Sequence, residues 1–177
     1  PVVLEKIRSP WEHKPWHAYQ AILLTEERAE AGRSFLAEHA EVLARAEAEY
    51  GVEPEIVVAI LGVETLYGER QGDLPVLRTL YTLGMHYPRR GSFFRQELGH
   101  FLRLRVDEGW TTEPVGSYAG AMGMGQFIPS SYRRWAVDFD GDGTRDLFGS
   151  TADAIGSVAH YFHVHGWRSE EPVLVRA

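Results

Sequence analysis

The chain has 177 residues, a length that suits one folded domain with a sizeable core. Hydrophobic residues make up 44% and charged residues 24% of the sequence, a balance that argues against long disordered segments. The 25 acidic and 18 basic residues give a net charge of −7, which disfavours a nucleic-acid surface, and the absence of cysteine excludes disulfides, thiolate metal sites and a cysteine nucleophile.

No segment of the sequence is predicted to span a membrane or to act as a secretion leader. The longest unbroken apolar run, 56–63, is less than half of what a bilayer span needs. We therefore expect a single domain over residues 1–177, with no membrane anchor in this chain.

Most of the chain is predicted to be helical. Thr25 can cap a helix that begins with Glu26 and Glu27, because its side-chain oxygen accepts from backbone amides and acidic residues suit a helix N-terminus. Helical spacing continues as far as Gly51, which supplies a stop. Pro54 then opens a second helix, which is apolar on nearly every side and should therefore lie in the core.

Four further helices, one of them short, are predicted downstream. One spans 75–86, and one starts near Ser92, which can act as its cap. The apolar stripe of this fourth helix consists of Phe93, Phe94, Leu98, Phe101, Leu102 and Val106. Residues 109–126 are predicted to form a loop leading into a short helix, 138–149 an acidic loop, and 151–166 a last amphipathic helix. No segment shows sustained alternation over several strands, so the predicted class is all-α, or α with a minor β element.

Glu64 stands at the end of the apolar second helix. It lies four residues after Ile60 and eight after Ile56, so the three side chains share one face. A carboxylate beside so apolar a surface is expected to have a raised pKa, which suits a general acid that protonates a leaving oxygen near neutral pH. The alternative is a glutamate that faces solvent or pairs with an arginine.

Residues 116–127 combine small side chains with hydroxyl and amide groups. Small residues allow a ligand to approach the backbone closely. The hydroxyls of Ser117 and Tyr118 and the amide of Gln126 are groups that recognise neutral polar ligands such as sugars. The segment lacks the Gly-Lys-Ser/Thr ending of a phosphate loop. A packing loop without a ligand remains the alternative.

The acidic loop matches the first half of an EF-hand calcium loop, because Asp138, Asp140 and Asp142 alternate before a glycine. Carboxylates packed so closely repel one another unless a cation is bound. The twelfth position, an acid in the EF-hand, is Gly149, so Asp153 is the candidate for the last ligand of an extended loop. We predict a divalent-cation site, with calcium as first choice, against the alternative of an acidic surface turn. No organic cofactor is predicted.

Three histidines lie near the end of the last predicted helix: His160, His163 and His165. The spacing of the first two would permit a transition-metal site, but no further motif completes it. We interpret them as solvated or capping residues. Aromatic side chains that could stack on sugars are Trp16, Tyr19, Tyr81, Tyr118 and Tyr161, although most are expected in the core.

Three separated motifs stand out: Gly-Val-Glu-Thr-x-x-Gly at 62–68, Gly-Ser-Tyr-Ala-Gly-Ala-Met-Gly at 116–123 and Gln-Phe-x-Pro-Ser-Ser-Tyr at 126–132. In this order they resemble the lytic transglycosylase B family, glycoside hydrolase family 103. The acidic loop, Tyr-Pro-Arg-Arg at 87–90 and residues 153–162 are also similar, so the resemblance covers 16–168. It implies a lysozyme-like α-helical catalytic core with an EF-hand-like metal loop at 138–153.

The resemblance also implies an activity. The family cleaves the β-1,4 bond between N-acetylmuramic acid and N-acetylglucosamine in peptidoglycan, and the muramic C6 hydroxyl, not water, attacks to leave a 1,6-anhydro end. The single acid/base of the family corresponds to Glu64, and the glycan-positioning residues correspond to Ser117, Gln126, Tyr161 and Tyr19. The calcium ligands correspond to Asp138, Asp140, Asp142, the Thr144 carbonyl and Asp153.

Partners and location follow from the same resemblance: peptidoglycan strands, cell-envelope assembly partners, a monomeric state and the bacterial envelope, periplasmic or extracytoplasmic. Two alternatives stay open. The first is a muramidase of the same fold that uses water, and its products would carry reducing ends. The second is a non-catalytic peptidoglycan-binding module, which an exposed and normally titrating Glu64 would favour.

Overall fold

The structure, a computed structural model, describes residues 2–8, 15–169 and 171–172. The predicted domain 1–177 also includes residues that lie outside the described ones, namely 1, 9–14, 170 and 173–177. Within the described ranges the fold is mostly helical with one small sheet, which confirms the predicted class. None of the described helices combines the length and the apolar character needed to cross a bilayer.

The helices, in chain order, are α1 (Val2–Arg8), α2 (Trp16–Leu23), α3 (Glu26–Glu38), α4 (Ala40–Tyr50), α5 (Pro54–Thr65), α6 (Val76–His86), α7 (Gly91–Asp107), α8 (Pro129–Trp135) and α9 (Thr151–Val164). The two short strands are β1 (Leu74–Pro75) and β2 (Val115–Gly116), which pair antiparallel.

The boundaries of the first long helices follow from a few residues. The Thr25 hydroxyl accepts from the backbone amide of Arg28 at 3.2 Å, so the predicted cap of α3 is confirmed. Pro54 lies in the first turn of α5, and Gly51 ends α4 with a left-handed φ of 70°. The prediction of one continuous helix up to Gly51 is wrong, because His39 (φ −108°, ψ 21°) leaves the helical conformation. This break separates α3, which packs on α5, from α4, which packs on α9.

Helix α7 differs from the prediction at its start and along its apolar stripe. It begins one residue before Ser92, so that serine does not cap it. Leu102 and Val106, both in the predicted stripe, are 49% and 79% exposed. The buried face follows helical spacing of three and four residues and excludes both; its large side chains are Phe94, Glu97, Phe101 and Leu104.

The hydrophobic core divides into two clusters. The first joins α3, α4, α5 and α9 around residues such as Ile155. The second joins α1, α6, α7 and α8 around residues such as Phe101. Met122 is buried in the second cluster and Met124 in the first, so the glycine-rich segment passes from one to the other. This passage brings polar residues of the segment close to the end of α5.

Candidate active site

A cleft of about 320 Å³ lies where α5, the glycine-rich segment and α9 meet. It brings together three residues that the sequence analysis singled out, Glu64, Gln126 and Tyr161. Its apolar walls come from both core clusters and include Ile60, Phe127, Val158 and Phe162. The cleft is therefore a polar site in an apolar frame, open to solvent at its mouth.

Glu64 lies on the side of α5 that faces this cleft. The opposite side of the helix is buried through Val57, Val58 and Leu61, whereas Val63 is 48% exposed. The expectation that α5 lies in the core holds for this buried side, and its last turn carries Glu64 at the cleft. Glu64 keeps an exposed outer surface and shares its face with Ile60, as predicted.

The electrostatic environment of Glu64 supports an acid role. Desolvation by the surrounding atoms raises the pKa of the Glu64 carboxyl above its ordinary value of 4.5. In the part of the chain that the structure describes, no side chain forms an ion pair or hydrogen bond with this carboxylate. Glu64 is also the one acid among the described residues that line the cleft.

The chain turns sharply just after Glu64. Leu66 and Tyr67 both adopt left-handed conformations, with φ of 52° and 59°, which are unusual for bulky residues. The Tyr67 hydroxyl donates to the Arg28 carbonyl at 3.0 Å and the Arg28 guanidinium donates to the Gly62 carbonyl. This network fixes the end of α5 against α3 and so fixes the acid that it carries.

The glycine-rich segment is held by close backbone packing. A side chain at Gly120 (φ 81°) would lie 2.5 Å from Leu80, and one at Gly123 (φ 72°) would lie 2.6 Å from the Leu147 carbonyl. The Ser117 hydroxyl accepts from the amides of Ala119 and Ala121 at 3.3 and 3.1 Å. These glycines therefore serve the packing of the protein, which was the alternative to close approach by a ligand.

Gln126 is the polar residue that this segment delivers to the cleft. Its side-chain amide donates to the carbonyls of Gly123 at 2.9 Å and Gln71 at 3.2 Å. Its backbone is left-handed, with φ of 51°, a conformation that costs energy for a residue other than glycine. The surrounding bonds hold Gln126 in this strained position, which orients it toward the cleft.

Not every predicted sugar-binding residue lies at this cleft. Among the described residues that line it, Ser117, Tyr118 and Tyr19 are not included, so their roles stay predictions. Conversely, Ser131 and Val158 both line the cleft, although the sequence analysis assigned neither of them to the site. Val158 lies three residues before Tyr161 on the same helix, and this spacing could have indicated that both residues line one site.

The acidic loop gathers three carboxylates at the protein surface. Oxygen atoms of Asp138, Asp140 and Asp142 lie within 4.8 Å of one another, and this is the one such metal-ligand group among the described residues. The Asp138 carboxylate accepts from the amides of Gly141 and Gly143 at 2.8 Å each, which folds the loop. The donors are hard carboxylate oxygens, so the set fits a hard divalent cation.

Asp153 occupies a different position from these three residues. It is fully buried, and its oxygens accept from the amides of Phe139 at 2.7 Å, Asp140 at 3.3 Å and Asp146 at 2.7 Å. Burial raises the pKa of Asp153, and the amide hydrogen bonds oppose that rise. The residue thus ties both halves of the loop to α9, and its role as a ligand stays a prediction. The Thr144 amide and hydroxyl both donate to Asp142 Oδ1, at 2.8 and 2.7 Å.

The histidines near the end of α9 do not converge on a metal site. His160 Nδ1 lies 2.9 Å from the Trp135 carbonyl and His163 Nδ1 lies 2.9 Å from the Tyr50 carbonyl. Carbonyl oxygens only accept, so each Nδ1 donates. These bonds support the interpretation of these residues as capping or solvated histidines.

Comparison with known proteins extends these observations. The sequence matches the transglycosylase SLT domain family over residues 1–177. It is 46% identical over 165 residues to membrane-bound lytic murein transglycosylase B of Escherichia coli, an alignment that covers 92% of this chain and 45% of that protein. The chain therefore spans about half the length of the curated relative it matches.

Three solved structures resemble the fold closely, and each match covers 97% of this chain. Soluble lytic transglycosylase SltB1 of Pseudomonas aeruginosa has a TM-score of 0.92 with 49% identity over 59% of its chain. Escherichia coli Slt35 in complex with calcium has a TM-score of 0.90 with 43% identity over 55% of its chain. Pseudomonas aeruginosa SltB3 in complex with NAG-anhNAM-pentapeptide has a TM-score of 0.90 with 40% identity over 46% of its chain. These matches confirm the predicted lysozyme-like helical fold class.

Proposed function

Since the chain belongs to the transglycosylase SLT domain family, we propose that it is a peptidoglycan lytic transglycosylase that leaves 1,6-anhydro ends. Membership confirms the resemblance that its three motifs indicated. The observation that carries the proposal is Glu64, which has a raised pKa and is the one carboxyl among the described residues that line the cleft. The anhydro-sugar fragment named for the SltB3 complex supports the same product chemistry.

In the proposed mechanism, protonated Glu64 donates its proton to the glycosidic oxygen between N-acetylmuramic acid and N-acetylglucosamine. The C1–O4 bond breaks, and the developing positive charge at C1 is shielded by the N-acetyl carbonyl of the substrate. The Glu64 carboxylate then accepts the proton of the C6 hydroxyl as O6 bonds to C1. Glu64 thus gives one proton to the leaving oxygen and takes one from the C6 hydroxyl, so it ends the cycle protonated.

One carboxylate is enough for this reaction because both reacting groups belong to the same sugar. Retaining hydrolysis ordinarily requires a second carboxylate about 5 Å away as nucleophile. Among the described residues the cleft offers Glu64 alone. Intramolecular attack also avoids the entropy cost of ordering a second molecule. These points favour the transglycosylase over the hydrolase.

The remaining predicted site residues would hold the glycan. Gln126 and Tyr161 line the cleft with Glu64 and can contact the reacting sugar. We assign Ser117 and Tyr19 to glycan contacts further from the acid on the strength of the motif resemblance, and Tyr118 on the strength of its hydroxyl and aromatic ring. Peptidoglycan strands are accordingly the proposed substrate.

We further propose that the acidic loop binds calcium. Asp138, Asp140 and Asp142 supply the clustered carboxylates, and the Thr144 carbonyl and Asp153 complete the ligand set implied by the resemblance. The calcium named for the Slt35 complex supports this choice of ion. None of the loop residues is among the described residues that line the cleft, so the ion would stabilise the fold and take no part in the reaction.

The proposed location is the bacterial cell envelope, periplasmic or extracytoplasmic. A murein substrate requires it, and the Escherichia coli relative is named as membrane-bound. The monomeric state and the envelope assembly partners stay predictions.

The test is mass spectrometry of the soluble products released from purified peptidoglycan. Wild type should release anhydro-ended muropeptides, Glu64→Gln should release none, and Glu69→Gln, an exposed glutamate five residues away, should behave as wild type. Reducing-ended products would make the protein a hydrolase. Strand binding without products from wild type would make it a binding module.

A further inference from the structure

We propose that His165 is a positioning residue that holds the Tyr161 ring in the orientation needed to bind glycan at the Glu64 cleft. The inference rests on the proposed function and adds to it a residue outside the cleft lining. Neither the motifs nor the cleft lining assigns a role to this histidine.

His165 and Tyr161 are in ring-to-ring contact. Their ring centroids are 4.0 Å apart and their planes are inclined by 26°, which is a stacked arrangement. Stacking covers one face of the Tyr161 ring, and the ring of Phe127, which also lines the cleft, has its centroid 5.8 Å away. Trp135 meets the Tyr161 ring edge-on at 5.1 Å. The Tyr161 ring therefore contacts four aromatic rings, those of His165, Phe127, Trp135 and its neighbour Phe162.

The same histidine is fixed by its own contacts. His165 Nδ1 lies 2.6 Å from the Tyr161 carbonyl, and Nδ1 must carry a proton because a carbonyl only accepts. The His165 ring also packs edge-on against Trp135 at 4.6 Å. The last turn of α9 thus holds the imidazole, and the imidazole holds the tyrosine ring.

Removing the imidazole would free the Tyr161 ring to take other side-chain rotamers. The rings of Trp135 and Phe162 are nearly perpendicular to the Tyr161 ring and that of Phe127 is tilted by 40°, so none of them replaces the lost stacking contact. A tyrosine that samples several rotamers must be ordered when glycan binds, which weakens binding without altering the acid. The effect should therefore appear in KM and strand affinity more than in kcat.

The experiment uses soluble, uncrosslinked peptidoglycan strands and three variants. His165→Ala should raise KM about three- to tenfold with kcat within about twofold of wild type. His165→Phe keeps a stacking ring and should restore most of the loss. His163→Ala is the matched control, because His163 lies two residues away and its ring meets Tyr50 and not Tyr161. It should match wild type.

Two further readouts separate positioning from a general structural effect. On the Glu64→Gln background, His165→Ala should weaken strand binding by the same factor as it raises KM. The χ1 couplings of Tyr161, observed without substrate after selective tyrosine labelling, should average over several rotamers in His165→Ala and should keep their wild-type values in His163→Ala.

The outcomes distinguish this inference from the proposed function. If wild type cleaves strands and His165→Ala matches it in KM and affinity, the positioning role is wrong and the function stands. Equal losses in His165→Phe and His165→Ala would also contradict the role of stacking. If wild type neither cleaves nor binds strands, the proposed function fails and the inference fails with it.

Discussion

The Thr65 hydroxyl donates to the Met124 carbonyl at 2.8 Å and so joins the helix that carries Glu64 to the segment that carries Gln126. Thr65 is 1% exposed, and its oxygen also accepts from the amide of Gly68 at 3.0 Å. One buried hydroxyl therefore sets the separation of the acid from the glycine-rich segment and secures the sharp turn after α5.

Replacement of Thr65 by valine tests this link. Valine has the same shape but leaves the Met124 carbonyl and the Gly68 amide without their partner. The free energy of unfolding should therefore fall by about 1–3 kcal/mol. Misplacement of Glu64 should lower kcat by about tenfold or more. Denaturant unfolding and turnover on peptidoglycan are the measurements. Thr65→Ser, which keeps the hydroxyl, is the control, and equal damage in both variants would show that the hydroxyl is not responsible.

The pH dependence of activity should follow the raised pKa of Glu64. The acid must be protonated when the glycosidic oxygen leaves, so activity should fall as pH rises through that pKa. Because desolvation raises the pKa above 4.5, the fall should lie at higher pH than for an ordinary glutamate. A kcat profile against pH provides the measurement. A descending limb centred at the ordinary value would contradict the effect of the apolar cleft.

Stability should depend on the same group. A pKa that is higher in the folded protein than in the unfolded chain gives stability that is complete below the unfolded pKa and is lost as pH rises through the folded pKa. Glu64→Gln cannot ionise, so it should melt at a higher temperature than wild type near neutral pH. The advantage should vanish below about pH 4. The measurement is the melting temperature of wild type and Glu64→Gln near neutral pH and below about pH 4, with Glu69→Gln as the control. Equal melting temperatures of wild type and Glu64→Gln near neutral pH would contradict the prediction.

Removal of calcium should destabilise the protein without abolishing the chemistry. Loss of an ion present at a hundredfold excess over its Kd costs about 2.7 kcal/mol, or a drop in Tm of about 5–10 °C for a chain of this size. Chelator should produce this drop and added calcium should reverse it. The double variant Asp140→Asn/Asp142→Asn should respond to neither. An unchanged Tm of wild type in saturating chelator would argue against the site.

Asp153→Ala should lower the free energy of unfolding, although the sequence suggested Asp153 only as a cation ligand. It removes the acceptor for three backbone amides at a fully buried position, at a cost of about 2–4 kcal/mol. Asp153→Asn, which retains one acceptor oxygen, should cost less. Denaturant unfolding in excess chelator isolates this effect from cation binding. Asp73→Ala, at an exposed position, provides the control.

Local signals in the sequence predicted much of the fold. Thr25, Gly51 and Pro54 act through their own backbone and side-chain chemistry, so the elements they bound could be located without tertiary information. The break at His39 and the exposure of Val106 could not be located, because they depend on which helix packs on which. Sequence periodicity carries no record of that choice.

The candidate site was predictable in part for the same reason. Glu64 and Tyr161 sit on helices, where spacing relates them to apolar neighbours. Gln126 reaches the cleft through a left-handed backbone, which no propensity anticipates for glutamine. The backbone-clamping position of Asp153 was likewise hidden, because its partners Phe139 and Asp146 lie in a loop whose path the sequence does not define.

The placement of Met122 and Met124 in different core clusters has a consequence for how activity fails. The site lies at the boundary between the two core clusters. Its geometry therefore depends on how the clusters are aligned as well as on the folding of each. Mild denaturant should therefore change the alignment of the two clusters before either of them unfolds. Turnover would then be lost at a lower denaturant concentration than the helical circular dichroism signal. The difference between these two denaturant midpoints would measure the stability of the boundary between the clusters.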